Sequence, residues 1–457
     1  MESPYFPLEV LVDPAKSRND VTHDVLAAAD GKKKFWLVSF SLAGILLLTG
    51  GYCMCKVWWD GIGMWGENSS VNWAWDITNF VWWIGIGHAG TLISAILLLF
   101  RAKWRNSINR SAEGMTLCAV TCAGFYIVAH LGRPWIMYYI LPYTNNFGSL
   151  WINFNSPLVW DMFAVLTYIL ISALYWYMGL LPDFATMRER TNGARRVVFS
   201  CLSLGWKGDA WNWRRYESVM LTLAGLATAL VVSVHSIVAM DFATSIIPGW
   251  HSTIFPPYFV IGAILSGFAM VLTLLIPLRK LMGLESYITL NHIDKMNQMV
   301  LITSGLVGIA YATELFGAFY GNQNDHQIYM YKLTGDYFVL FLVMNMCNAV
   351  LPQLLWIRGL RRNIGFTFVL SIFINIGMWT ERFVIIVTSL SHDYLPSDWK
   401  LFTPTLFDIG VFIFSLGIFS SMFLLICKFI PIINMSEVKS LIKPISDLTK
   451  SMNAKAQ

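Results

Sequence analysis

The sequence predicts an all-α integral membrane protein of about ten transmembrane helices, and three observations predict it. Its 457 residues are 56% hydrophobic and only 13% charged, where a soluble domain carries about 25% charged residues. Ten apolar runs approach the ~20 residues that a helix needs to span a bilayer. The polar loops between those runs hold most of the positive charge. Twenty Trp and eighteen Tyr fit aromatic belts at the two membrane interfaces.

The elements follow in order. Residues 1–34 form a polar arm ending in Lys32, Lys33 and Lys34, and the first apolar run opens near Phe35, so no cleavable signal peptide is expected. Spans are expected near 35–57, 77–100, 115–132, 157–181, 217–240, 256–278, 296–316, 336–357, 364–388 and 405–427. The transmembrane region is 35–428, with a tail at 429–457. With the N-terminus inside and strict alternation, all but five of the 32 Lys and Arg fall on the inner side; the exceptions are Lys56, Arg133, Lys332, Arg382 and Lys400. One missed helix would invert every later loop, so this bias supports the count and places both termini in the cytoplasm. The seventh span has the least distinct start, because His292, Asp294 and Lys295 blur it. Spans two to five and six to nine each begin and end outside. They read as two four-helix bundles of one orientation, flanked by the first and last helices. The longest polar insertion, 182–216, is short and basic and leaves no room for a catalytic head.

Composition also excludes. The net charge of +5 sits in short loops between apolar runs, so it is no nucleic-acid footprint. Seven scattered cysteines include no CxxC and no CxxCH, which argues against a c-type haem or a cysteine-bound cluster. The Cys53–Cys55 CxC reads as packing.

Ionisable residues inside spans are costly and by default mark a functional pathway. The topology gives each a depth. Asp76 opens the second span outside; His88 lies twelve residues further in, roughly 18 Å deeper. His130 ends the third span outside, followed by Arg133. Asp161 sits in the first turn of the fourth, His235 and Asp241 close the fifth, Glu314 closes the seventh, and Glu381 and Arg382 lie in the outer half of the ninth. Nearly all occupy the outer leaflet, while the inner ends show ordinary Arg and Lys anchors.

Quinol oxidation suits such an arrangement. It releases two protons and two electrons, and needs a carboxylate or imidazole near each hydroxyl within an apolar slot. His130 and Asp161 are suitable types on adjacent helices at matching depth. Burial and a neighbouring cation act on a carboxyl in opposite senses, so such a pair can be tuned toward neutral pH. Arg133 or Arg382 would hold an acid ionised or polarise a quinone oxygen. Tyr126, Trp135, Tyr138, Tyr139 and Trp160 are candidate slot walls.

Plainer readings stand beside these. Asp161 early in a helix favours the positive end of the helix dipole; His130 is a helix end; His88 is a packing histidine facing Gly85 and Gly87; Asp76, Asp241 and Glu314 lie near enough to the interface for solvation. Arg382 needs a partner, and because consecutive residues point about 100° apart that partner is expected on another helix. A b-type haem would need two His ligands, and His88 lies about half a membrane deeper than His130 and His235, which leaves His130 with His235. A secondary transporter should show broken helices and a midplane site, where only His88 and Arg382 lie deep. A structural anchor would not need both His130 and Asp161.

With GHAGTLISAILLL at 87–99, HLGRPW at 130–135, SPLVWD at 156–161 and VHSIVAMDF at 234–242, the chain resembles the NrfD/polysulfide-reductase membrane-subunit family over roughly residues 70–390. Its two extra flanking spans and its YFPLEVLVDP arm look like the larger of the two such subunits in bacterial alternative complex III. The resemblance implies a quinol-oxidising subunit of the bacterial inner membrane that binds no haem or metal itself, with quinol, menaquinone by analogy, as its substrate. It implies electron transfer to a periplasmic iron–sulfur subunit and on to multihaem and monohaem cytochrome c subunits. A second NrfD-like subunit, a terminal oxidase and lipids are further expected neighbours, and protons would be released outside. Carried over residue by residue, the quinol pocket is His130, Asp161, Asp241 and Arg382, with Arg133, Asp76, His235 and Tyr139 in support. His88, Glu314 and Glu381 would mark a proton route.

Overall fold

Peptide groups immersed in hydrocarbon find no water, so an apolar run satisfies them by coiling into helix. The computed structural model describes residues 11–31, 33–141 and 157–442, and no strand occurs among them. The helices are α1 (Arg18–Asp30), α2 (Lys33–Asp60), α3 (Trp75–Leu99), α4 (Asn109–His130), α5 (Pro157–Arg190), α6 (Ala194–Leu202), α7 (Ala210–Ala243) and α8 (Phe255–Leu281). They continue with α9 (Leu290–Tyr320), α10 (Gln323–Thr334), α11 (Phe338–Asn345), α12 (Arg358–Arg361), α13 (Ile364–Ser391), α14 (Leu406–Phe429) and α15 (Met435–Leu441).

Ten segments are long and apolar enough to cross a membrane: α2, α3, α4, α5, α7, α8, α9, the stretch Phe338–Trp356 that α11 opens, α13 and α14. The protein is a multi-pass, all-α membrane protein. Several helices outrun the apolar stretch that announces them. α4 begins at Asn109 rather than near 115, and α5 continues to Arg190 rather than 181. Hydrophobicity marks only the part of a helix within hydrocarbon, while the helix itself continues through the interfacial layer.

Helices α3, α4, α5 and α7 pack as one bundle, and α8, α9, α11 and α13 as the second. Helix α3 joins them by packing on α8 and α13, while α2 and α14 pair together and α14 lies against α4. Of the most apolar stretch of α3, 89% is buried, against 17% for α2, so α3 is the axis and α2 faces lipid. Small residues permit the close α3–α8 crossing: a Cβ added at Gly267 would come 1.7 Å from the Ala89 Cβ.

The eighth span is not one regular helix. After α11 the chain makes a π turn at Met346–Val350 and then a 3-10 segment, Leu351–Trp356, that contains Pro352. A π turn adds one residue to a helical turn and rotates side chains off the regular face, often where a helix serves a site. Here it turns Asn348 into the second bundle.

Candidate functional site

Side chains of α3, α4, α5 and α7 converge at the outer end of the first bundle. Asp76 is the second residue of α3 and His130 the last of α4, and these antiparallel neighbours bring the Asp76 Oδ2 and His130 Nδ1 into a hydrogen-bonded pair. Asp76 Oδ1 accepts the Ile77 N–H at 2.6 Å, so the helix N-terminus supports the carboxylate. Across the bundle, Asp161 in the first turns of α5 meets Asp241 near the end of α7, and their carboxyls are hydrogen bonded to each other. One of the two must carry the proton that makes that bond. Oδ1 of each is buried without a partner among the described residues.

Between these pairs stands Trp73. Its ring lies edge-on to His130 at 6.2 Å and to Phe242 at 6.0 Å, and 5.9 Å from Trp250. An aromatic cluster thus runs from His130 to Phe242, the residue after Asp241. The stretch 142–156, which connects α4 to α5 in sequence, lies outside the described residues, as does the side chain of Tyr139.

Sequence reasoning missed Glu67, in the 61–74 connection. Burial first, and the Asp76 charge second, push its carboxyl up to about 11. It is thus neutral at physiological pH and hydrogen bonds to Asp76. Nothing in the local sequence singles out one acid in a polar loop.

Deeper, His88 of α3 and His235 of α7 face each other with their Nδ1 atoms 2.7 Å apart, and both Nε2 atoms are buried without a partner among the described residues. This corrects the depth argument, which set His88 half a membrane below His235. Helix α7 runs on to Ala243, so His235 lies eight residues, about 12 Å, inside its end. It also separates the two histidines considered as haem ligands, since His130 is held by Asp76 and His235 by His88.

The second bundle holds its own polar knot. Glu381 is fully buried; Tyr311 of α9 donates to its Oε2, and Asn348 Nδ2 donates to the same oxygen at 3.1 Å. Gly377 makes room, since a Cβ there would come 2.3 Å from Asn348 Oδ1 and 2.5 Å from Cys347 Cβ. Arg382 finds its counterion next door rather than on another helix: Nη1 lies 3.2 Å from Glu381 Oε1. The two Cα–Cβ bonds do diverge, but the guanidinium is long enough to fold back. The approach falls outside hydrogen-bond geometry, for both atoms are also without a hydrogen-bond partner among the described residues. The guanidinium instead lies over the Phe259 ring at 4.1 Å. Phe259 is also 6.2 Å from His235 and 5.8 Å from Phe242, which places it between the two bundles' polar groups.

Other expected members stand apart. Arg133 is exposed, as are Trp135 and Tyr138, because the chain leaves α4 after His130 in a short 3-10 turn at the outer surface. Tyr126 faces α14, with its hydroxyl 3.2 Å from Ser415 Oγ. Glu314 forms an ion pair with Lys332 of the outer helix α10 at 2.6 Å. A cleft of about 500 Å³ lies between α10 and the segment after α13, lined by Tyr331, His392 and Trp399, away from these polar pairs.

The expected confinement of ionisable groups to one leaflet also fails. Arg110, Glu113 and Asp183 are buried at the inner end of the first bundle. Arg110 donates to Asp183 Oδ2 at 3.2 Å and lies 3.6 Å from Glu113. The extended ends of α4 and α5 carry into the packed interior Arg110, which the expected span limits leave in an inner loop, together with two acids that lie just beyond those limits.

Residues 63–392 match the protein family described as polysulphide reductase, NrfD. Over 209 residues the chain is 28% identical to the putative membrane C-subunit of a dimethyl sulfoxide reductase from Halobacterium salinarum, covering 45% of this chain and 43% of that protein. Over 225 residues it is 25% identical to the C-subunit of the selenate reductase of Mesobacillus selenatarsenatis, covering 47% of this chain and 50% of the relative. The chain thus spans about half the length of the curated relatives it matches.

Proposed function

The chain belongs to the polysulphide reductase NrfD family, and from that premise we propose that it is the quinol-oxidising membrane subunit of a multisubunit respiratory complex. One observation carries the reading: two proton-accepting pairs, Asp76–His130 and Asp161–Asp241, stand at the outer ends of four adjacent helices with Trp73 between them. A quinol losing two electrons must lose two protons, and each pair offers one acceptor. The Oδ1 atoms of Asp161 and Asp241 are without a hydrogen-bond partner among the described residues, which leaves each an acceptor for a quinol hydroxyl, and the Trp73, Phe242 and Trp250 rings supply apolar surface beside a quinone ring.

Asp76 orients His130 and stabilises the imidazolium that forms when its ring takes a proton. Asp241 orients Asp161 through the hydrogen bond between their carboxyls, which share one proton and can take a second. Arg382, resting on Phe259, is a positioning residue whose charge acts from the second bundle. Position at the outer end favours proton release outside and electron transfer to an iron–sulfur partner docked there, with cytochrome c subunits beyond it. Within the family we assign the alternative complex III type, with menaquinol as substrate in the bacterial inner membrane. The two relatives are named as subunits of reductases, which fits a membrane protein exchanging electrons with a partner.

Replacing Asp161 with Asn keeps size and hydrogen bonding but removes the proton acceptor. Menaquinol oxidation by the assembled complex is expected to fall about 100-fold, with every partner chain still present. Wild-type turnover in an assembled Asp161→Asn complex would remove Asp161, and with it this assignment of the site.

A further inference from the structure

The connection from α5 to α7 is folded onto the inner end of the first bundle. Gly193, at φ 64°, turns the chain out of α5, and α6 then packs on the last turns of that helix. The Phe199 and Phe184 rings stack at 5.9 Å, and the Tyr177 hydroxyl donates to Leu202 O at 2.8 Å. Arg188 donates to Ser203 Oγ at 3.2 Å and to Trp206 O at 3.1 Å. Tyr177 and Arg188 flank residue 181, where hydropathy ends the fourth span. Helix α6 therefore lies at the inner margin of the hydrocarbon, the depth at which amphipathic helices rest among headgroups.

With Phe199 turned to α5, a second apolar stripe of α6 is left uncovered. Ala194, Val197, Val198 and Cys201 recur at the spacing of one helix face, and all four are exposed, Val197 by 63% and Val198 by 54%. Leu204, just past the helix, is 71% exposed. Cations surround this stripe. Residues 188–215 hold seven Arg and Lys against two acids, Glu189 and Asp209. Elsewhere on the inner side several cations are matched within the protein, Arg105 by Glu437, Arg279 by Glu285 and Arg361 by Asp294. Of these seven, only Arg188 approaches an acid among the described residues, Glu189 at 4.0 Å. Arg190, Arg195, Arg196, Lys207, Arg214 and Arg215 are exposed without one. Trp211 is 58% exposed and carries the Arg215 guanidinium 3.5 Å above its ring, an aromatic placed as in an interfacial belt.

We propose that α6 and its flanks form a binding site for anionic phospholipid of the inner leaflet. Acyl chains cover Val197, Val198, Cys201 and Leu204, and phosphate groups neutralise the arginines beside them. A neutral lipid would cover the stripe but leave the cations unmatched, and an acidic soluble partner would match the cations but lie too far out to cover the stripe. The bound lipid ties together the inner ends of α5 and α7, the helices that carry Asp161 and Asp241 at their outer ends. This site stands independently of the quinol reading.

The test places a photo-crosslinking benzoylphenylalanine at position 198 in the complete complex, reconstituted in vesicles of equal parts phosphatidylglycerol and phosphatidylcholine. Mass spectrometry of the illuminated chain then counts what it has captured. Phosphatidylglycerol is expected to be captured over phosphatidylcholine by about fivefold at low salt. Replacing Arg195, Arg196, Arg214 and Arg215 together by Gln is expected to bring the ratio to near parity while lipid capture itself persists. Salt gives the same answer with those arginines in place, for at about 1 M the screening length falls to about 3 Å and the preference should shrink toward parity. Equal capture of the two lipids at low salt overturns the proposal. So does capture of another chain of the complex in place of lipid, which would make the stripe a subunit interface. A preference that survives the four substitutions, or that survives high salt, overturns it as well.

Discussion

Replacing Glu381 with Gln should leave a guanidinium stranded in the middle of the protein. Arg382 is 2% exposed and its counterion lies 3.2 Å away. At that separation and an effective dielectric of about 20, two unit charges attract by about 5 kcal/mol. That agrees with the roughly 3–5 kcal/mol usually lost when one partner of a buried pair is removed. The Gln carbonyl can still accept from Tyr311 and Asn348, so the loss isolates the charge. Removing both charges, as in Glu381→Gln with Arg382→Met, should recover most of it, because an apolar group on Phe259 has nothing left to desolvate. The chain supplies its own reporter, since Cys118, Cys122, Cys347 and Cys427 are buried and become reactive to a thiol-directed fluorophore on unfolding. In detergent the single variant is expected to melt about 5–10 °C below wild type, with a coupling between the two sites of about 3 kcal/mol or more. A single variant that melts with wild type, or a double variant that falls by the sum of the singles, would refute the ion-pair account.

Gly377→Ala should drive its Cβ into Asn348 and Cys347 and cost about 1–3 kcal/mol, seen in the same thiol assay; an unchanged melt would mean that the π turn moves freely. Glu67 is held protonated up to about 11 by burial and by Asp76. Its folded form therefore binds a proton that the unfolded chain loses near the ordinary carboxyl range, so its contribution declines as pH rises from about 4.5 toward 11. Glu67→Gln should flatten that decline without lowering stability at neutral pH, and a parallel pH–melting curve in the two proteins would contradict it. His130→Gln should keep a hydrogen bond to Asp76 yet lose the proton acceptor, lowering quinol turnover about 100-fold; activity near wild type would leave Asp161–Asp241 as the sole acceptor pair.

How much of the molecule is legible in its sequence depends on the range over which each property acts. Hydropathy and loop charge are local and additive, so the ten spans and the division into two bundles could be read from the chain. The types of residue at the outer site could also be read, because an acid or histidine within an apolar run is conspicuous wherever it packs. Who meets whom could not. Asp76 rather than Asp161 holds His130, His235 lies beside His88, and Arg382 folds back on Glu381, because pairing depends on helix tilt, length and rotation. Asn348 came into the Glu381 knot through a π turn that has no hydropathy signature, and Glu67 sat unmarked in a loop.

The sequence by itself determined that this chain lives in lipid and how often it crosses. Only the tertiary structure decided that Arg110, Glu113 and Asp183 are interior groups, since helix ends extend past the apolar stretch into the interface. Burial there is conferred by neighbouring helices, and no window along the sequence contains them.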